Sequence, residues 1–273
     1  RRRMGRRSLA CERKRRHVQH RVLWHREARN LFFLFTAKRC FVKSKDTLIV
    51  CTSNEGAGKS FQWHLEVDEQ NSTVFTNDSN TRYRNPYVSS VSGNTELPTA
   101  VASSVILSGT NFGPLNTYIT ASYGVDLNTL NNYYNDLSCY VTTAHTEMNC
   151  TTVESKPGIN RTLLRWQVSV EYQKSDLSMD KGTAYKIPEI TGLANHINMN
   201  TAGNETVVLH GTNFGPSGGT IDGYYGPSGN HKAYHAQLCT VLSHIQISCV
   251  SRESKNNMNR TSLRWSINIE DQK

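Results

Sequence analysis

Leu164, Trp166, Val168 and Val170 alternate with Arg165, Gln167, Ser169 and Glu171, and this period of two predicts a strand with one buried face. Leu263, Trp265, Ile267 and Ile269 repeat the alternation further along. Ser104–Leu107 and Val207–Leu209 are short β-branched runs, each halted by Gly-Thr-Asn-Phe-Gly-Pro. Glycine admits positive φ and proline cannot continue a ladder, so that motif predicts a turn. Short strands with turn signals at intervals near ten residues, and no helical period of useful length, predict β-sandwiches of about 85 to 100 residues.

The pattern recurs. LSGTNFGP at Leu107–Pro114 returns as LHGTNFGP at Leu209–Pro216, and Tyr123-Gly124 returns as Tyr225-Gly226; Tyr83 and Pro86 return as Tyr185 and Pro188. All are displaced by 102 residues. NRTLLRWQVSVEYQ (Asn160–Gln173) matches NRTSLRWSINIEDQ (Asn259–Gln272) at an offset of 99, so three residues are deleted between the halves. A fixed period of this kind is the signature of tandem domains. A third copy is legible only in its second half. Trp63 stands seven residues before Gln70, as Trp166 does before Gln173 and Trp265 before Gln272, and a cysteine pair precedes each tryptophan. The tyrosine-glycine pair would fall near positions 20 to 23, where His20, Arg21, Val22 and Leu23 stand. The expected organisation is a basic segment over 1–39, the C-terminal half of a repeat over 40–82, and full repeats over 83–184 and 185–273.

Charge does not alter this reading. Residues 1–39 carry fourteen Lys/Arg against Glu12 and Glu27, a balance of +12, so the remaining 234 residues hold seventeen basic and twenty acidic side chains, or −3. The formal charge of +9 therefore belongs to one segment and does not make the body of the protein a nucleic-acid binder. No run of about 18 apolar residues is present, so no helical membrane span is expected. The apolar stretch Leu31–Phe35 is too short and too far from the start for a secretory signal, and a leader is expected upstream. Residues 1–39 read as a linker, an adhesive arm, or translated sequence foreign to the protein. A half-sandwich exposes an edge and half a core, so completion by strand addition from a neighbouring copy or chain is expected.

Cys40/Cys51, Cys139/Cys150 and Cys239/Cys249 take the same place in each copy, on segments that read as neighbouring antiparallel strands. Three recurrences favour disulfides in an oxidising compartment over pairs of buried free thiols, and each bridge would stabilise by roughly 3 kcal/mol in the chain-entropy picture. Cys11 is left over. Asn71, Asn77, Asn149, Asn160, Asn204 and Asn259 begin N-x-S/T triplets; Asn160 and Asn259, in equivalent turns, are the favoured glycan acceptors.

The order GTNFGP, Tyr-Gly, paired Cys, then Trp-x-Val-x-Val-x-x-Gln resembles the IPT/TIG family of immunoglobulin-like domains, over residues 83–273 as two copies and 40–82 as half of one. The resemblance implies tandem early-set immunoglobulin-like β-sandwiches, an all-β fold class, with binding and spacer roles at the cell surface and no catalytic residues, cofactor or metal of their own. It also implies that Trp63, Trp166 and Trp265 are core anchors packed against the disulfides. Within that family the receptor ectodomains and the Rel-type DNA-binding proteins are the alternatives. A receptor would bind a protein or carbohydrate ligand and carry a transmembrane helix after Lys273. A Rel-type protein would keep free thiols and set Arg1–Arg16 on phosphate.

Other chemical motifs are weaker. NEGAGKS (Asn54–Ser60) resembles a phosphate loop, but Ser53 stands where the pattern needs glycine and a strand follows where it needs a helix. His17, His20 and His25 could share a helix face and bind zinc, yet a solvated basic tail fits them better. The Asn-rich Asp126–Asp136 loop lacks the alternating carboxylates of a calcium loop. The expected function is a non-enzymatic extracellular or cell-surface module acting in adhesion, matrix or filament structure. Its partners would be other copies of itself, surface or matrix proteins, and N-linked glycans.

Overall fold

A computed structural model of the chain describes residues 18–25, 32–67, 69–73, 81–125, 127, 133–135, 137–256 and 261–272. It is all-β, with antiparallel pairing between its named strands and no helix among the described residues. Two compact units form, Arg1–Tyr83 and Arg84–Lys273.

The second unit holds both full repeats. In the first repeat, once β1–β6 of the preceding unit are counted, the strands are β7 (Tyr87–Ser92), β8 (Ser104–Thr110), β9 (Ile119–Gly124), β10 (Tyr133–Tyr134), β11 (Ser138–Thr143), β12 (Glu147–Thr151), β13 (Arg165–Val170) and β14 (Gln173–Lys174). They form two four-stranded sheets, ordered β11-β12-β8-β7 and β10-β9-β13-β14. The alternation read from the sequence is the burial pattern of β13: Leu164, Trp166, Val168 and Val170 are buried, and the residues between them are half-buried. Val105, Leu107 and Met148 of the other sheet are fully buried as well. The second repeat comprises β15 (Glu189–Ala194), β16 (Thr206–Thr212), β17 (Ile221–Gly226), β18 (Tyr234–His235), β19 (Gln237–Ser243), β20 (Gln246–Val250) and β21 (Arg264–Ile269), in sheets ordered β15-β16-β20-β19 and β18-β17-β21. At the place of β14, the described residues of its second sheet form an Ile269–Gln272 bridge.

β8 and β16 run on through Gly-Thr, three residues past the point where the sequence halts them. Gly109 and Gly211 make this continuation possible. A Cβ at either would overlap a backbone carbonyl, that of Tyr87 or Glu189, and the following phenylalanine ring. The turn then begins at Asn111 and Asn213, both at positive φ, with Phe112 and Phe214 fully buried.

The first unit contains β1 (Val18–His25), β2 (Phe32–Thr36), β3 (Arg39–Ser44), β4 (Leu48–Thr52), β5 (Phe61–Val67) and β6 (Gln70–Asn71), in sheets β2-β1-β5-β6 and β3-β4. β1 lies beside β5 with Val22 opposite Trp63, the register in which Tyr123 lies opposite Trp166. The front half expected to be lost is thus replaced in one of the two sheets. The basic segment itself supplies two strands, β1 and β2, at the places of β9 and β10, whereas the β3-β4 sheet stays two-stranded, with no counterpart of β7 or β8 among the described residues. A search for repeated residues misses such a replacement because a ladder requires only backbone donors and acceptors.

Candidate functional site

Each cysteine pair bridges the hairpin foreseen for it: Cys40–Cys51 joins β3 to β4, Cys139–Cys150 joins β11 to β12, and Cys239–Cys249 joins β19 to β20. The three disulfides fit an extracellular environment. Cys11 lies outside the described residues.

Trp166 is fully buried, while Trp63 and Trp265 are only half-buried. The ring partner of Trp166 is Tyr123, stacked at 4.7 Å, which stacks in turn on Tyr134 at 4.7 Å. Tyr225 stacks in the same way on Trp265 at 4.5 Å and on Tyr234 at 4.9 Å.

What seals Trp166 is an extended segment, Thr183–Lys186, inserted between two loops. On one side Leu97 N donates to Ala184 O and Lys186 N to Leu97 O; on the other Leu164 N donates to Thr183 O and Tyr185 N to Arg161 O. Trp166 Nε1 donates to Thr183 Oγ1 at 2.8 Å. Tyr185, the first residue of the second repeat by the period, buries its ring in the first repeat. Its hydroxyl donates to Val153 O at 2.8 Å and accepts from Tyr123 at 2.7 Å. Burial pushes the Tyr123 phenol up to about 12, and pushes those of Tyr134 and Tyr185 up as well. The first unit repeats the device. Trp63 Nε1 donates to Thr81 Oγ1 at 3.1 Å, Tyr83 N to Gly58 O, Phe61 N to Thr81 O, and Tyr83 OH to Asn54 O at 2.7 Å. Thr81/Thr183 and Tyr83/Tyr185 are therefore structural residues that sequence reasoning left unassigned. The one signal was the return of Tyr83 and Pro86 at the 102-residue offset.

In the second repeat the corresponding place is an open groove of about 540 Å³, walled by Leu193, Met199, Tyr225, Tyr234, Leu263 and Trp265. Trp265 Nε1 and the backbone N–H groups of Met199 and Leu263 have no hydrogen-bond partner among the described residues. Tyr225 OH turns back onto Arg252, accepting from its N at 2.8 Å and donating to its O at 3.2 Å.

The repeats of the second unit meet at Arg161, another residue that the sequence did not single out. Its guanidinium is fully buried. Nη1 donates to Asn213 O at 3.4 Å and Nη2 to Phe214 O at 3.2 Å, in the turn of the second GTNFGP. Desolvation lowers its pKa. Around it, Glu270 Oε1 accepts from Gly158 N, Gln272 Nε2 donates to Tyr185 O, and Thr99 Oγ1 lies 3.1 Å from His244 Nδ1.

Of the sequons, Asn71 and Asn204 are exposed and Asn149 is half-buried beside Ser104. Asn160 belongs to the junction between repeats: Nδ2 donates to Asp271 at 3.3 Å and Oδ1 accepts from Thr162, so a glycan there would displace these contacts. Asn77 and Asn259 lie outside the described residues. NEGAGKS lies in the connection between β4 and β5, with the Tyr83 ring close to Gly56. His20 and His25 lie on strand β1, not on a helix; His17 and most of the Asp126–Asp136 loop are outside the described residues. No helix among the described residues is long and apolar enough to cross a membrane.

No protein-family model matches the chain, and no curated protein does. Among solved structures it is similar to the extracellular region of plexin A4, at 15% identity and a TM-score of 0.30, over 80% of this chain and 18% of that one. It is similar to SGBP-B from a xyloglucan utilization locus of Bacteroides uniformis, at 15% identity and 0.25, over 69% and 47%. A crystal structure with xylogluco-oligosaccharide is similar at 10% identity and 0.33, over 88% and 54%. The chain spans between about a fifth and a half of the length of these proteins.

Proposed function

We propose that the chain is a non-enzymatic extracellular or cell-surface module of tandem immunoglobulin-like repeats of the IPT/TIG kind, acting in adhesion, matrix or filament structure. The junction at Arg161 carries this reading. A fully buried guanidinium spanning two repeats fixes one against the next, as a spacer requires and a flexible tether does not. The hairpin disulfides support it, because each clamps its repeat independently of its neighbours. Its partners are other copies of itself or proteins of the surface and matrix, with N-linked glycans at exposed sequons such as Asn71 and Asn204. Intact mass of the secreted protein, with and without reductant and glycosidase, tests location: six oxidised cysteines and at least one glycan are expected. Cell-binding assays and electron microscopy of the same protein test the role, and a monomer that neither adheres nor assembles refutes it.

A further inference from the structure

The groove beside Trp265 is the place that an inserted segment fills in the other two copies. Thr81-Arg82-Tyr83-Arg84-Asn85-Pro86 and Thr183-Ala184-Tyr185-Lys186-Ile187-Pro188 share the pattern Thr-x-Tyr-(Arg/Lys)-x-Pro, and each leads into a repeat. The threonine hydroxyl accepts from the tryptophan indole, and the tyrosine hydroxyl donates to the carbonyl three residues after the second cysteine, Asn54 or Val153. In the second repeat that carbonyl is Arg252 O, which stands at the groove together with the unpartnered indole of Trp265.

We infer that this groove is a binding site for an extended polypeptide segment of the Thr-x-Tyr-(Arg/Lys)-x-Pro type, the segment that leads into a repeat of this kind. The occupant follows from the matching of donors and acceptors. Trp265 Nε1 donates to the guest threonine hydroxyl, as Trp166 Nε1 does to Thr183. The guest tyrosine ring packs at a tilt against Tyr234, as Tyr185 lies 5.2 Å from Tyr134. Its hydroxyl inserts between Tyr225 OH and Arg252 O, replacing the weaker 3.2 Å bond with two that match the first repeat. The backbone pairs with Leu263 N and with Met199, the counterparts of Leu164 and Leu97. The volume lies within the range of ligand pockets, about 300 to 1,000 Å³. In the first repeat Trp166 N and Val168 N, on the outer edge of β13, donate to Ser178 and Ser175, which precede the threonine; residues ahead of the motif in a longer guest would cover the same edge of β21. The inference goes beyond the adhesion reading and stands without it.

The test uses the whole chain and the synthetic peptide Thr-Ala-Tyr-Lys-Ile-Pro, followed by calorimetry and tryptophan fluorescence. Saturable one-to-one binding is expected, weakened at least about tenfold when the peptide tyrosine is alanine, and by about the same factor in Trp265→Phe, which keeps a ring and removes the donor. A second measurement covers the case in which that variant fails to fold. Extending the chain after Lys273 by its own Ser175–Pro188 sequence puts the threonine in the register seen from Trp166. This extension is expected to raise Tm and abolish peptide binding. Binding that is absent, or equal for a scrambled peptide, overturns the inference. So does an oligosaccharide that occupies the groove while the peptide does not, or self-association of the chain that the peptide cannot compete.

Discussion

Two phenol hydroxyls, those of Tyr123 and Tyr185, close a circuit of hydrogen bonds with the backbone of Val153, and beside it the Trp166 indole donates to Thr183. Truncating Trp166 to alanine should cost about 3–5 kcal/mol, and the same change at half-buried Trp265 distinctly less, as read from denaturant midpoints. Tyr185→Phe leaves Val153 O and Tyr123 OH short of a partner and should cost about 1–3 kcal/mol. Because burial raises the Tyr123 phenol from 10.0 to about 12, the unfolded chain ionises first as pH climbs. The stability from this group is complete below pH 10.0 and fades between that value and about 12, so tyrosinate absorbance of this cluster should emerge only with alkaline unfolding. His244 behaves in the opposite sense. Desolvation depresses its pKa below 6.5, so its contribution is complete above 6.5 and is lost as pH falls through the depressed value. Wild type should therefore lose more Tm than His244→Gln between neutral and mildly acidic pH.

The strands with a tryptophan were legible because their side chains alternate, and the cysteine hairpins because the pairs recur at one place. Reducing Cys139–Cys150, or replacing both residues by serine, should cost roughly 3 kcal/mol and lower the denaturant midpoint. β1 and β2 were not legible. They take the place of repeat strands without sharing their residues, and pairing with β5 rests on the backbone. The ends of β8 and β16 were misjudged because Gly-Thr reads as a turn in isolation. Only in the sheet does a missing Cβ let the strand pass beneath the carbonyl of Tyr87 or Glu189. Asn160, favoured as a glycan acceptor from its place in a turn, also makes an exposed contact with Asp271, more than a hundred residues away, which no local pattern encodes. Arg161 was missed for the same reason: beside a sequon it reads as a surface charge, and its partners are carbonyls of the following repeat.

Within the Arg84–Lys273 unit, cooperativity between repeats rests on few groups. Arg161→Ala removes two charge-assisted hydrogen bonds and leaves the Asn213 and Phe214 carbonyls unpaired, a loss of about 2–4 kcal/mol. Calorimetry should then resolve two transitions where the native unit melts in one; a single transition of unchanged width would show that the repeats are coupled elsewhere. Thr183–Tyr185 adds to that coupling, since the first repeat holds its side chains while Gln272 of the second holds the Tyr185 carbonyl. The part that folds is therefore out of step with the part that recurs. A genetic rearrangement that broke the coding sequence between Asp180 and Gly182 would strip a sandwich of its own lid, whereas a break after Pro188 would move an intact one. Shuffling of such modules is thereby confined to joints that follow the proline.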